Sequence, residues 1–377
     1  MKNSTSVLLQ NTYLSLKGYN KQSLTVGLIY IYTNNYCMKL KPVLLIALFV
    51  FNFSGAQIFA QKELPLKVVK TFHIASDNWW DYIALNPVNN NLYVSHGTQV
   101  NILNKNTGDS VGVIPNTTGV HGIAFAPPYG KGFTSNGRIN TATVFDINSN
   151  KILDSIKTGD GPDAIMFEPF SKTIITCNGR GQNLTVIDPS NNAVLATIPV
   201  GGKPETAVSD DAGKVYVNIE DKSEIVVVNM KTYMVENRWS IAPGESPTGL
   251  AIDKKTRRLF AGCDNELLMV INADNGKIVD KLTIGEGCDG VGYSNVTNNI
   301  FASNGESATL TVIHAQSADS YKVVGNIPTK AGARTCVVDE NNEDIFLPTA
   351  EFLPNPEPGK RPNLKPGTFQ VLVVGKK

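Results

Sequence analysis

Histidine and cysteine are scarce in this chain of 377 residues, with four of the first and five of the second. No CxxC or HxxxH pair is present to hold zinc, and neither HExxH nor a phosphate-cradling GxxxxGK occurs. Charge of one sign is also lacking. Thirty-four Lys and Arg stand against 33 Asp and Glu, for a formal net charge of +1. Nucleic acid is therefore not expected as a partner, because non-specific binding rests on counterion release at a basic surface. Long apolar runs are missing too: the stretch from Val43 to Phe53, broken at Asn52, falls short of the roughly 20 residues a membrane span needs. What the chain has in quantity is turn formers, with 32 Gly and 20 Pro, the composition of a turn-rich all-β protein.

Those turns recur. An apolar run ending in a turn residue closes at positions 104, 146, 188, 229, 272, 314 and 375, a period of about 42 residues with one longer interval at the end. Each repeat resolves into four short β-branched or aromatic runs between Gly, Pro, Asn and Asp clusters. In the third repeat these are Ala164 to Phe167, Thr173 to Cys177, Leu184 to Ile187 and Val194 to Ile198. Four strands per 40 to 45 residues predict a propeller blade, and seven repeats predict a seven-bladed β-propeller over residues 64–377. The last repeat ends after its third strand. The missing fourth, Leu66 to Ile74, stands at the start of the domain, so the N-terminal strand is expected to pair with the C-terminal blade and remove an open edge. The long interval holds five prolines between Thr349 and Gln370, which predicts an extended loop between strands b and c of the last blade, a spacer or a lid at the channel mouth.

The ends of strand b, Tyr93-Val94-Ser95-His96, Phe133-Thr134-Ser135-Asn136, Ile175-Thr176-Cys177-Asn178 and Phe301-Ala302-Ser303-Asn304, resemble the tetrapeptide that names the YVTN-type β-propeller repeat proteins, the YncE-like group. The resemblance implies the propeller fold and an exported bacterial protein, and it assigns no activity.

Export has its own signal. Met38-Lys39-Leu40-Lys41 is a basic start, the Val43–Phe53 run a hydrophobic region, and Ser54-Gly55-Ala56 or Ile58-Phe59-Ala60 a small-residue cleavage site. Residues 38–60 are thus expected to be a cleaved signal peptide, residues 1–37 an over-extended N-terminus, and the mature protein a periplasmic or secreted monomer without a transmembrane segment. Cys177, Cys263, Cys288 and Cys336 follow the signal; an even number permits disulfides, but a ring with this much core needs none, and buried thiols are expected. His314 stands where other repeats place a turn-capping Asp or Asn, and a capping role is expected.

Aligning the repeats at the start of strand a places Asp81, His121, Asp163, Glu205, Thr248, Asp289 and Arg334 at one position, which in a propeller opens on the central channel. Trp79 and Trp80 stand just before Asp81. The b–c loops on the same face bring His96, Arg138 and Arg180. Carboxylates, imidazole, guanidinium and indole together form the inventory of a polar pocket. The first functional expectation is an exported binding or scaffold protein that takes a small polar ligand, a glycan or a peptide there. An alternative is a propeller enzyme of the lactonase, cyclase or lyase kind with Ca, Mg or Mn on the carboxylates and His121; a structural surface-coat role is a third. Three arginines within reach would repel a divalent ion, which favours a pocket without metal, and no cofactor is expected.

Overall fold

The computed structural model describes residues 9–12, 26–29, 65–354 and 362–376. The chain divides into two compact units, 1–61 and 62–377. Within the first, Leu9–Thr12 pairs antiparallel with Val26–Ile29. The expected signal peptide at 38–60, most of 1–37 and the loop tip at 355–361 lie outside the described residues.

The second unit is a ring of seven four-stranded antiparallel sheets, six of them ordered a-b-c-d in sequence and the seventh taking its strand d from the start of the domain. In blade 3 the strands are Pro162–Glu168, Thr173–Asn178, Asn183–Asp188 and Ala193–Pro199. Strands b and c are buried on both faces because each sheet is sandwiched between two others. Ile174 packs with Phe133 and Val144 of blade 2, whereas Ile175 packs with Val215 and Val217 of blade 4. One unbroken apolar run thus serves two cores by simple alternation. Seven such clusters separate the blades, one at each junction. Strand d lies at the rim and carries exposed Leu153, Leu195 and Met234. Helix is confined, among the described residues, to the 3-10 turns Pro127–Tyr129 and Glu220–Lys222.

Closure follows the expected route. Leu66–His73 is strand d of blade 7 and pairs with Gln370–Lys376, from Leu66 opposite Lys376 to His73 opposite Gln370. Phe72 and Ile74 enter the cluster shared by blades 7 and 1.

The turn after strand c is built by its last residue in five blades. Asn104, Asp146, Asp188, Asn229 and Asn272 each accept the amide N–H two residues on. His314 corrects the expectation for blade 6. There strands c and d run on to Thr309–Ser317 and Ser320–Pro328, and the imidazole meets Asn299 across the strands at 2.9 Å instead of capping a turn. Cys177, Cys263, Cys288 and Cys336 are free thiols, and burial pushes Cys336 up to about 11.

Candidate functional site

A one-residue bulge opens strand a in blades 1 to 6. In blade 1, Trp80 pairs with His96 but Ile83 with Val94, which sets Asp81 and Tyr82 against Ser95 alone; His121, Asp163, Glu205, Thr248 and Asp289 fall in the equivalent gaps. A bulge breaks the alternation and re-aims side chains. The backbone at the bulges of blades 1, 3 and 6 is held from the preceding blade, by the Thr335 hydroxyl on the Asp81 carbonyl at 2.6 Å, Ser135 on that of Asp163 and Thr248 on that of Cys288 at 2.5 Å, and Ser303 holds the Arg334 carbonyl of blade 7 in the same way at 2.5 Å.

The side chains meet. Arg334 bridges blades 6 and 1, with Nη1 on Asp289 and Nη2 at 3.4 Å from Asp81 Oδ1 and 3.0 Å from the Trp80 carbonyl. His121 Nδ1 lies 2.6 Å from Asp81 Oδ2 and 3.4 Å from Asp163 Oδ1. Glu205 pairs with Lys203 at 3.2 Å, and Lys203 also contacts Glu220. Thr248 breaks the circle, its hydroxyl spent on the next blade. Below the ring the Tyr82 hydroxyl reaches the Thr206 hydroxyl at 3.1 Å, tying blade 1 to blade 4. Gly249 and Gly290 stand beside it because the neighbouring strand passes where a Cβ would be, with Val291 N at 2.6 Å and Thr335 Cα at 2.9 Å.

Burial and the charge of Asp81 push Asp163 up to about 7, against the opposing field of His121. Burial also raises Glu205 and Asp289, the latter in spite of Arg334. Burial acts to lower His121, but the hydrogen bond it donates to Asp81 and the charges of Asp163 and Asp81 outweigh it and raise its pKa. Every one of these groups binds protons more tightly in the folded chain. Their contribution is therefore complete below the unfolded values and is lost as pH rises; for Asp163 that window runs from 3.8 to about 7. Unfolding measured at about pH 5.5 and about pH 8 should show the acid condition more stable by roughly 2 kcal/mol from Asp163 alone, at about 1.36 kcal/mol per unit. Asp163→Asn should flatten the profile; a profile that rises with pH would refute this electrostatic picture.

Not every expected residue joins the ring. His96 is 1 % exposed, bonded at both ring nitrogens to Ser76 and the Asn78 carbonyl, and stacked on Phe369 at 3.9 Å; it is a core residue whose pKa burial lowers. Arg180 lies on the exposed rim with Asp160 and the Gly137 carbonyl, and Arg138 is also exposed. Only Arg334 of the three arginines enters the cluster, so the expected threefold repulsion of a divalent ion is absent. Lys203 and Tyr82 belong to the site and carried no repeat signal. Gly108-Asp109-Ser110-Val111-Gly112 has the letters of a nucleophile elbow, but Ser110 opens the exposed outer strand of blade 1 and lacks the strand-to-helix turn that elbow requires.

Trp79 and Trp80 form a shelf with the inserted segment of blade 7. Phe352 lies 6.1 Å from each indole, and the indoles lie 5.9 Å from one another. The segment is a short finger: Phe352 bridges to Leu364, Leu353 N–H donates to the Asn363 carbonyl and Lys365 N–H to that of Glu351. Under this shelf is a cavity of about 460 Å³, lined also by Arg334, Asp289, Asp264 and Glu306.

No family model matches the chain, and no curated protein matches it. Solved structures do. The chain is similar to a hydrazine synthase chain of Kuenenia stuttgartiensis (TM-score 0.64, 14% identity, 73% of this chain and 94% of that one). It is similar also to the WD40 repeats of RRP9 (TM-score 0.70, 9% identity, 82% and 97%) and to U3-55K (0.69, 10%, 81% and 98%). At these identities the likeness shows the β-propeller fold.

Proposed function

We propose that this chain is an exported propeller of the YVTN, YncE-like type whose work is to bind a small polar ligand, or the end of a glycan or peptide, at the channel mouth. The cavity between the Trp79–Trp80–Phe352 shelf and the Arg334–Asp289 pair carries this reading. It combines apolar area for affinity with a few converging polar groups for orientation. The signal at residues 38–60 supports export, and the strand b tetrapeptides support the family.

A second reading, a divalent-metal-dependent lactonase, cyclase or lyase, is favoured by one observation: Asp81, His121 and Asp163 each offer a ligand atom within 4.8 Å of the others. Bound there, an ion would lower the pKa of a water. His121 would have to give up its Nδ1 proton, and Arg334 remains close to Asp81.

One screen tests both. Thermal shift of the purified protein against sugars, amines, carboxylates and short peptides, with and without Ca, Mg or Mn, should find a binding class that needs no metal. Trp79→Ala should weaken it about tenfold or more while leaving the unliganded melting temperature within a few degrees. A stabilising response to metal alone, abolished by Asp163→Asn, would favour the second reading; no response to any compound or ion would defeat both.

A further inference from the structure

The channel mouth is uneven in charge. The loops that blades 5 and 6 turn toward the cavity carry Glu245, Asp264, Glu266, Glu286 and Glu306, all exposed, with no Lys or Arg among the loop residues 241–246, 264–266, 284–287 and 305–308. None of the five has an ion-pair partner among the described residues. Across the mouth the carboxylates Asp160, Glu220 and Glu224 are matched instead, by Arg180, Lys203 and Arg238, and the exposed Arg138 adds a cation with no ion-pair partner among the described residues. Two of the unmatched carboxylates, Asp264 and Glu306, line the same cavity as Trp79, Trp80 and Phe352. Arg334, the one cation among the described residues that line the cavity, is already engaged by Asp289 and Asp81.

We propose that the cavity receives an organic ammonium group, laid on the Trp79 shelf and turned toward Glu306 and Asp264. The assignment rests on the ligand-binding reading above and names its chemistry. An indole face attracts a cation through its quadrupole, by about 0.5–1 kcal/mol where exposed and about 2 kcal/mol or more where water is excluded. A rim of one sign concentrates ions of the other. A neutral sugar would gain the stacking but nothing from the uncompensated carboxylates. A second feature describes the ligand's other end. Trp80 is 2 % exposed, lines the cavity, and its Nε1–H has no hydrogen-bond partner among the described residues. A buried donor left unpaired is costly, and a hydroxyl or carboxylate oxygen of the ligand would satisfy it. The class implied is an ammonium compound bearing an oxygen, such as an amino alcohol, a betaine or an exposed lysine side chain with its adjoining carbonyl.

Calorimetric titration of the full chain with four probes tests this: choline, its neutral carbon isostere 3,3-dimethyl-1-butanol, Nα-acetyl-lysine amide and methyl glucoside. Choline or the lysine derivative should bind at least about tenfold more tightly than the isostere, a difference of about 1.4 kcal/mol. Added salt should weaken binding, and Glu306→Gln should cost about threefold or more without changing the unliganded melting temperature. Preference for choline would indicate a free small ammonium ligand, and preference for the lysine derivative a peptide one. If the isostere or the glucoside binds as well as the cations, the ammonium assignment falls while the ligand-binding reading stands. If none of the four binds and no compound in the wider screen does, both fall.

Discussion

A chain shortened to begin after Ile74 should not yield a stable monomeric ring. Leu66–His73 is the outer strand of blade 7, so its loss bares the hydrogen-bonding edge of Gln370–Lys376, a template for pairing between chains. It also removes Phe72 and Ile74 from the junction of blades 7 and 1. Each buried side chain of this kind contributes about 1.5–3 kcal/mol, and with the ladder added the loss is comparable with the net stability of about 5–15 kcal/mol typical of a domain. Gel filtration and thermal unfolding should show aggregate or a much lower transition. The cause can be isolated by moving residues 65–74 to the C-terminus behind a short Gly/Asn turn. Leu66 stands opposite Lys376, so the moved strand would form an ordinary hairpin, and the ring should be restored. Failure of that permuted chain, or a stable monomer without the strand, would contradict closure as the cause.

Replacing Arg334 with Met should be the most damaging single substitution at the site. The guanidinium stands between Asp289 and Asp81 and also donates to the Trp80 carbonyl. Without it these carboxylates confront one another and Asp163 with His121 and the farther Lys203 to offset them. Breaking a buried ion pair by removing one partner costs about 3–5 kcal/mol, and the open side of this cluster places the expected loss toward the lower figure. Because burial and the charge of Asp81 push Asp163 up to about 7, it takes up a proton on acidification, so the penalty should shrink between about pH 8 and about pH 5. Denaturant unfolding at both pH values reads this directly. Adding Asp289→Asn to Arg334→Met should recover part of the loss; equal penalties at both pH values would show that Arg334 acts by packing rather than charge.

The architecture was legible because geometry repeats itself in letters. Every blade needs a turn at the same places, and Asn, Asp and Gly recur there. The ring of side chains was legible for the same reason, since one position in each repeat opens on one axis. What followed from contacts across the ring was not. His96 resembles its counterparts Asn136 and Asn178, yet its ring is fixed by Phe369 of the last blade, and nothing near residue 96 announces that. Arg138 and Arg180 lie only two residues beyond strand b, but by then the chain has turned outward. Lys203 acquires its role from Glu205 and Glu220 together, and Tyr82 from the glycines that other blades place beside it. The bulge itself was invisible, because an extra residue in a strand leaves the apolar run intact.

The hydroxyls of Ser135 and Ser303 hold backbone of the blade that follows each of them, and Thr248 and Thr335 likewise reach onward around the ring. For the two serines the unit that carries a site residue together with its support is therefore offset from the sheet, running from strand b of one blade through strand a of the next, whereas the threonines reach from one strand a to the next and span a whole blade. A gene duplication or deletion with its breakpoints in the a–b turns would move such units whole. One with breakpoints in the d–a turns would seat each new side chain on a stranger's hydroxyl, so rings of this design should grow and shrink more readily by the first route.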